Sequence, residues 1–379
     1  MNPKIMIVAG EMSGDVHGAS LVKEMRRLSP TVSFSGMGGP CLQAEGVEIL
    51  YDAAKLAVVG IAEVVSHLRD IYKARTRLLA TMRAGKPDLL ILIDFPDFNL
   101  SLAKKAKRLG IPVFYYISPQ VWAWRSGRVK QIKSLVDKMA VILPFEKEFY
   151  RQRGIEVGFV GHPLLDQVKV SSSPSQFRAK YGIPAHKTMI GVLPGSRKKE
   201  ITAILPTLLQ AAQRLYAIKS EVVFLLPLAP SLQIEDLRGV DLTNDLPLQV
   251  IRGDRYDLMA HCDLAMAASG TVTLELAIVG TPMVVAYRVS PLTYWLGRRL
   301  IKVKFASLVN LVAKREIVRE LLQDDCTPAN LTDTLLTMWP GTAANEKIQA
   351  GLLEVCGQLG GQGASRRAAE LALATISSE

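Results

Sequence analysis

The stretch Leu89-Leu90-Ile91-Leu92-Ile93-Asp94-Phe95-Pro96-Asp97-Phe98-Asn99 carries five aliphatic residues without polar alternation into a carboxylate and then a proline. An alternating strand shows one face to water. An unbroken aliphatic run is covered on both faces, as in a parallel sheet flanked by helices. Pro96 cannot donate to a strand ladder, so the strand ends ahead of it and Asp94 falls at the carboxyl edge. In open α/β sheets ligands sit outside that edge, which makes Asp94 a candidate general base. The competing reading is an aspartate that finishes a strand and supplies oxygens to a turn. Asp97 opens a helical pattern closed by Gly110 and reads as the helix N-cap.

The same grammar extends in both directions. Ile5 to Ala9 is a strand that ends in Gly10-Glu11-Met12-Ser13-Gly14-Asp15, with a helix expected from about His17 to Arg27. Glycines at such a turn let backbone N–H groups approach a ligand, with the positive end of a helix behind them. His17 reads as an exposed helix residue rather than a catalyst. Gly36-Met37-Gly38 begins a dinucleotide fingerprint, but Cys41 stands where the third glycine belongs, which disfavours a Rossmann dehydrogenase. After the strand Val113 to Ile117, the run Val121-Trp122-Ala123-Trp124-Arg125 suits either the wall of a cleft or a loop clamped onto the core.

Beyond the polar passage 171–175, strands and helices alternate again, so two doubly wound domains are expected, 1–165 and 166–360, with a C-terminal helix at about 361–379 completing the first. Two strand ends in the second half carry polar turns. Leu193-Pro194-Gly195-Ser196-Arg197 places an arginine fork where it can hold a phosphate or make a surface salt bridge. Ala268-Ser269-Gly270-Thr271 opens a helix that reaches Glu275. Its hydroxyls and N–H groups suit a diphosphate or ordinary capping, and Glu275, one turn on, suits the paired hydroxyls of a ribose.

With 46 Lys and Arg against 35 Asp and Glu, a net charge of +11 favours anionic partners, either phospholipid or phosphorylated substrate. No nucleic-acid-binding signature accompanies it, and 6% aromatic residues offer few base-stacking platforms. The four cysteines have no paired spacing, which argues against a zinc site or a disulfide framework and fits a reducing cytoplasm. The opening residues leave no room for a signal peptide, and no window is apolar enough to span a membrane. Two basic, apolar segments, 61–83 and 291–304, suit either an ordinary surface or the headgroup layer of a bilayer.

Several motifs occur together and in order: Ala9-Gly10-Glu11-x-Ser13-Gly14-Asp15, Ile93-Asp94-x-Pro96-Asp97-Phe98-Asn99, Val121-Trp122-Ala123-Trp124-Arg125, Leu143-Pro144-Phe145-Glu146, Leu193 to Arg197, Ala268 to Thr271 with Glu275, and Leu308-Val309-Asn310-Leu311. In this series the sequence resembles the lipid-A-disaccharide synthases, inverting glycosyltransferases of family 19. It departs at Val309, where a proline is usual, and at Met12, where a smaller residue is common. The resemblance implies a GT-B fold, two Rossmann-like domains with parallel sheets facing across a cleft, acceptor on the first and UDP on the second. It implies condensation of UDP-2,3-diacylglucosamine with 2,3-diacylglucosamine 1-phosphate (lipid X) at the cytoplasmic face of the inner membrane, as a peripheral protein. By position, Asp94 resembles the base; Ser196, Arg197, Ser269, Gly270, Thr271 and Glu275 resemble the nucleotide site; and Glu11, Ser13, Asp15 and Asn310 resemble cleft-lining residues. The absence of any Asp-x-Asp leads us to expect metal independence. The alternatives are another GT-B enzyme acting on UDP-N-acetylglucosamine and a peripheral lipid-binding protein without activity.

Overall fold

The structure, a computed structural model, describes residues 2–56, 64–123, 126–229, 232–237, 246–289 and 303–376. The chain divides into two units, Met1–Pro163 with Leu359–Glu379, and Leu164–Gln358. In the first, seven strands, β1 (Lys4–Ala9), β2 (Ser33–Gly38), β3 (Glu48–Asp52), β4 (Leu89–Ile93), β5 (Val113–Tyr116), β6 (Lys138–Val141) and β7 (Gly158–Phe159), form one sheet in the order 3-2-1-4-5-6-7. Every pair is parallel. The chain therefore winds outward from β1 to β3, returns beside β1 as β4, and winds outward the other way. Ligands of doubly wound sheets bind at that reversal.

All five residues of β4 are 0% exposed, as an unalternated aliphatic strand requires. Ala74, Leu78 and Met82, one face of the helix Val64–Gly85, cover the sheet with them. Arg69, Lys73 and Arg77 of that helix point to solvent, and Tyr72 is 62% exposed. This is an amphipathic surface helix. The second basic, apolar segment, 291–304, lies mostly outside the described residues. Among the described residues no helix is long and apolar enough to cross a membrane.

Two helix starts differ from expectation. The helix after β1 is Met12–Leu28 and begins well before His17, so Ser13, Gly14 and Asp15 form its first turn and not a free loop. Of the two glycines of that expected turn, Gly14 lies inside the helix. A Cβ on Gly14 would lie 3.4 Å from Ala9 Cβ, and one on Gly18 would lie 3.0 Å from Ile93 Cδ1, so the helix rests directly on β1 and β4. The helix after β4 is Pro96–Arg108, with proline in its first turn, so Phe95 and not Asp97 occupies the N-cap. Asp97 pairs with Arg128.

The second unit repeats the plan with β8 (Thr188–Leu193), β9 (Val222–Leu228), β10 (Leu248–Arg252), β11 (Leu264–Ala268), β12 (Met283–Tyr287) and β13 (Glu320–Leu322), in the order 10-9-8-11-12-13 and all parallel. Its reversal lies between β8 and β11. The helix Lys198–Ile218 packs Ile201, Leu205, Leu208, Ala212 and Leu215 on one face of this sheet. The C-terminal helix Ala364–Ile376 belongs to the first unit, where it packs against Met12–Leu28.

Candidate active site

Each reversal point collects the candidate residues of its own unit. In the first, the turn after β1 and the turn after β4 lie side by side, because Ala9 pairs with Ile93. Gly10 is required there, since a Cβ would lie 2.4 Å from the Phe95 ring. Asp94 and Phe95 both adopt φ +45°, a left-handed conformation that costs a non-glycine residue about 1–3 kcal/mol and survives only where neighbours impose it. The neighbours are visible. The Asn99 amide donates to the carbonyls of Ile93 (3.1 Å) and Asp94 (2.7 Å), and the buried Tyr115 hydroxyl donates to the Asp94 carbonyl as well.

Backbone anchoring of this kind fixes the corner through main-chain carbonyls and does not use the Asp94 carboxylate. Burial, and secondarily the nearby Glu11 carboxylate, push its pKa from 3.8 up to about 6, against the opposing pull of the Phe95 N–H. A carboxylate poised there is ionised at neutral pH yet basic enough to accept a proton. Glu11 is exposed at the helix entrance, and Ser13 is exposed in the first helical turn.

Asp15 does something else. The residue is 2% exposed, and its carboxylate accepts from the N–H groups of Gly39 (2.7 Å), Cys41 (2.9 Å) and Leu42 (3.2 Å). It is the remote cap of the short helix Pro40–Ala44, and the expectation that it lines a cleft is corrected accordingly. The expectation for His17 also needs correction. The residue is half-buried, and burial holds its pKa down at about 4, so the imidazole stays neutral. His162 is buried nearby and held at about 3.

In the second unit, the turn after β8 is shaped by Gly195 (φ +110°), where a Cβ would lie 2.5 Å from Glu200 Oε2. Glu200 reaches back to the N–H groups of Ser196 (3.3 Å) and Arg197 (3.4 Å) and to Arg197 Nη1 (2.9 Å). Arg197 and Ser196 are exposed. An exposed ion pair of this type is worth at most about 1 kcal/mol, so it holds Arg197 only weakly.

At the turn after β11, neither Ser269 nor Thr271 caps the helix Val272–Val279 with its side chain. Ser269 Oγ donates to the Ala306 carbonyl at 2.9 Å, Thr271 is exposed, and the position a Cβ would take on Gly270 has no atom within 4 Å. The turn is therefore open toward solvent at a helix start, the geometry that receives an anion. Glu275 is 7% exposed and accepts from Arg255 Nη2 at 2.9 Å. Burial raises its pKa, while Arg255 and Tyr256 pull it down.

Arg255, whose guanidinium lies 4.4 Å over the Tyr256 ring, is the partner of Glu275 that sequence reading missed. Its only signal is its place just after β10, and nothing local announces a partner twenty positions away.

Asn310 is 0% exposed and lines no surface, another correction. Its Oδ1 accepts from the N–H groups of Ile317 (2.7 Å) and Val318 (3.1 Å), and its Nδ2 donates to the Val318 carbonyl and to Glu320 Oε1, both at 2.8 Å. Glu320 in turn accepts from the N–H groups of Ala306 and Ser307, and the Ala306 carbonyl receives Ser269 Oγ. Asn310 thus supports the Ser269 turn from behind.

Two doubly wound parallel sheets in one chain define the GT-B class, and solved structures agree on the fold. The chain is similar to the kitacinnamycin glycosyltransferase (TM-score 0.65, 17% identity, covering 98% of this chain and 99% of that one). It is also similar to the UDP-GlcNAc 2-epimerase of Neisseria meningitidis, solved with UDP-GlcNAc bound (TM-score 0.63, 13% identity, covering 99% and 100%).

At the level of sequence the match is much closer. The lipid-A-disaccharide synthetase family model covers residues 5–375. The lipid-A-disaccharide synthase of Geobacter metallireducens is 48% identical over 372 residues (98% of this chain, 97% of the relative), and that of Nitrosococcus oceani 47% over 378 (100% and 97%). The chain belongs to the lipid-A-disaccharide synthase family and is a glycosyltransferase of lipid A biosynthesis.

Proposed function

We propose that the protein transfers 2,3-diacylglucosamine from UDP to the 6-hydroxyl of lipid X, inverting the anomeric centre and releasing the β-1,6-linked disaccharide 1-phosphate and UDP. Asp94 accepts the proton of the 6-hydroxyl as that oxygen attacks. Charge developing on the departing diphosphate is met by Arg197 and by the helix start at Ser269, Gly270 and Thr271, with Ser196 alongside. Glu275 and Arg255 provide acceptor and donor groups for the nucleoside. The observation that carries the reading is Asp94 itself, held in a strained corner at a reversal point with a pKa near 6.

The reaction needs no metal. No Asp-x-Asp offers the usual clamp for a diphosphate-bound cation, and the leaving group has a guanidinium and a helix start instead. The protein lies peripherally on the cytoplasmic face of the inner membrane. The +11 charge and the cationic outer face of Val64–Gly85 support this, because anionic lipid attracts both.

A UDP-release assay with acylated and unacylated donor and acceptor tests the reading. UDP release only when both sugars are acylated supports it. Equal release from unacylated UDP-N-acetylglucosamine overturns it. Asp94→Asn should retain UDP binding and lose about 100-fold or more in turnover.

A further inference from the structure

The corner after β4 has a twin. Ile93 pairs with Tyr116, so Ile117, the residue after β5, stands opposite Asp94. Ile117 adopts φ +63°, a conformation that a β-branched residue takes only under constraint. The strained pair of strand ends marks a site wider than Asp94 alone.

The constraint beyond Ile117 is a buried polar cluster. Ser118 Oγ lies 2.6 Å from the Tyr150 hydroxyl. Glu146, 1% exposed, accepts from the N–H groups of Ile142 (3.2 Å) and Leu143 (3.0 Å) through one oxygen and from Trp122 Nε1 (3.1 Å) through the other. Phe145 meets the Trp122 ring edge to face, centroids 4.9 Å apart. A carboxylate is costly to bury, and capping Ile142 and Leu143 needs only one of its oxygens. The other accepts from the indole. Trp122 is left half-buried, its orientation set and part of it open to solvent at the carboxyl edge of the sheet.

We propose that Trp122 is a wall of the acceptor subsite, against which the acceptor's sugar ring packs, and that Glu146 is the positioning residue that holds it there. The proposal rests on the glycosyl-transfer reading above. An apolar sugar face on a rigid indole is the packing expected for a ring that must present one hydroxyl to Asp94.

The test is initial-rate UDP release with donor and acceptor varied separately, for wild type, Trp122→Ala, Trp122→Phe, Glu146→Gln and the Trp122→Phe/Glu146→Gln double variant. Trp122→Ala should raise the acceptor KM about tenfold or more, with the donor KM within about twofold. Trp122→Phe keeps a ring but cuts the hydrogen bond that Glu146→Gln weakens, so the double variant should lose no more than the worse single variant. Donor and acceptor KM rising together, fully additive losses, or an unchanged acceptor KM in Trp122→Ala would each overturn the proposal while leaving the reaction intact. Absence of UDP release by wild type from the acylated pair would overturn the reaction and this proposal with it. Should Glu146→Gln fail to fold, the split between acceptor and donor KM in the two Trp122 variants decides.

Discussion

Replacing Glu11 by glutamine should shift the acid limb of the pH–rate profile, and the structure bounds how far. Burial is the larger cause of the rise in Asp94 from 3.8 to about 6, and Glu11 is the second. Glutamine removes the charge and leaves the burial, so the Asp94 pKa should fall by less than half of that rise, or under about one pH unit. At pH 5 a base of pKa 6 is about 9% ionised and one of pKa 5 is 50% ionised, so kcat/KM relative to its plateau at pH 8 should gain at most about fivefold. The plateau supplies the internal reference, because Asp94 is ionised there in both proteins. The lipid acceptor's phosphate also titrates near pH 6, but it does so equally for both enzymes and cancels in the comparison. UDP release from pH 4.5 to 8.5 at subsaturating acceptor measures the limb. An acid limb that stays in place in Glu11→Gln, or moves to higher pH, would refute the electrostatic account of Asp94.

Other perturbations test other parts. Asn310→Ala strands the Ile317 and Val318 N–H groups and should destabilise the fold by about 1–3 kcal/mol, while raising the donor KM through the Ser269 turn and sparing the acceptor KM. Denaturant unfolding and separate KM measurements check both halves. Glu146 is raised from 4.5 to about 7, so the native state holds a proton there that the unfolded chain releases. Its contribution is complete below about pH 4.5 and lost as pH rises through 7. The stability of wild type relative to Glu146→Gln should therefore fall between pH 5 and pH 8, read as the difference between the two proteins in urea titrations, because the opposing histidine contributions are common to both and cancel. Chelation with EDTA should leave the rate unchanged; a loss restored by magnesium would overturn metal independence.

How much of this was legible in the sequence depends on the range of the interaction concerned. The β4 strand and its terminal Asp94 were readable because burial on both faces writes itself into consecutive residues. The turns at Gly195 and Gly270 were readable because each pairs a strand end with a helix start along the chain. Side-chain destinations were not. Asp15 reads as part of a ligand loop until the fold brings Gly39 to Leu42 over it, and Asn310 reads as a cleft residue until β13 runs beside it. Both form contacts that no local pattern encodes, and both are polar residues of the kind that chemistry also selects. Gly14 misled in the opposite sense, since a glycine inside a helix that rests on a sheet looks the same in sequence as one that permits a turn.

Burial separates these cases where motif matching does not. Among the described site residues, Arg197 and Thr271 are exposed and Asp94 is half-buried at a reversal point, whereas Asp15 and Asn310 are buried with their polar atoms committed chiefly to backbone partners. Substituting residues of the first kind should reduce turnover with little loss of stability. Substituting the second should lower stability, and for Asn310 turnover as well, because it braces the Ser269 turn.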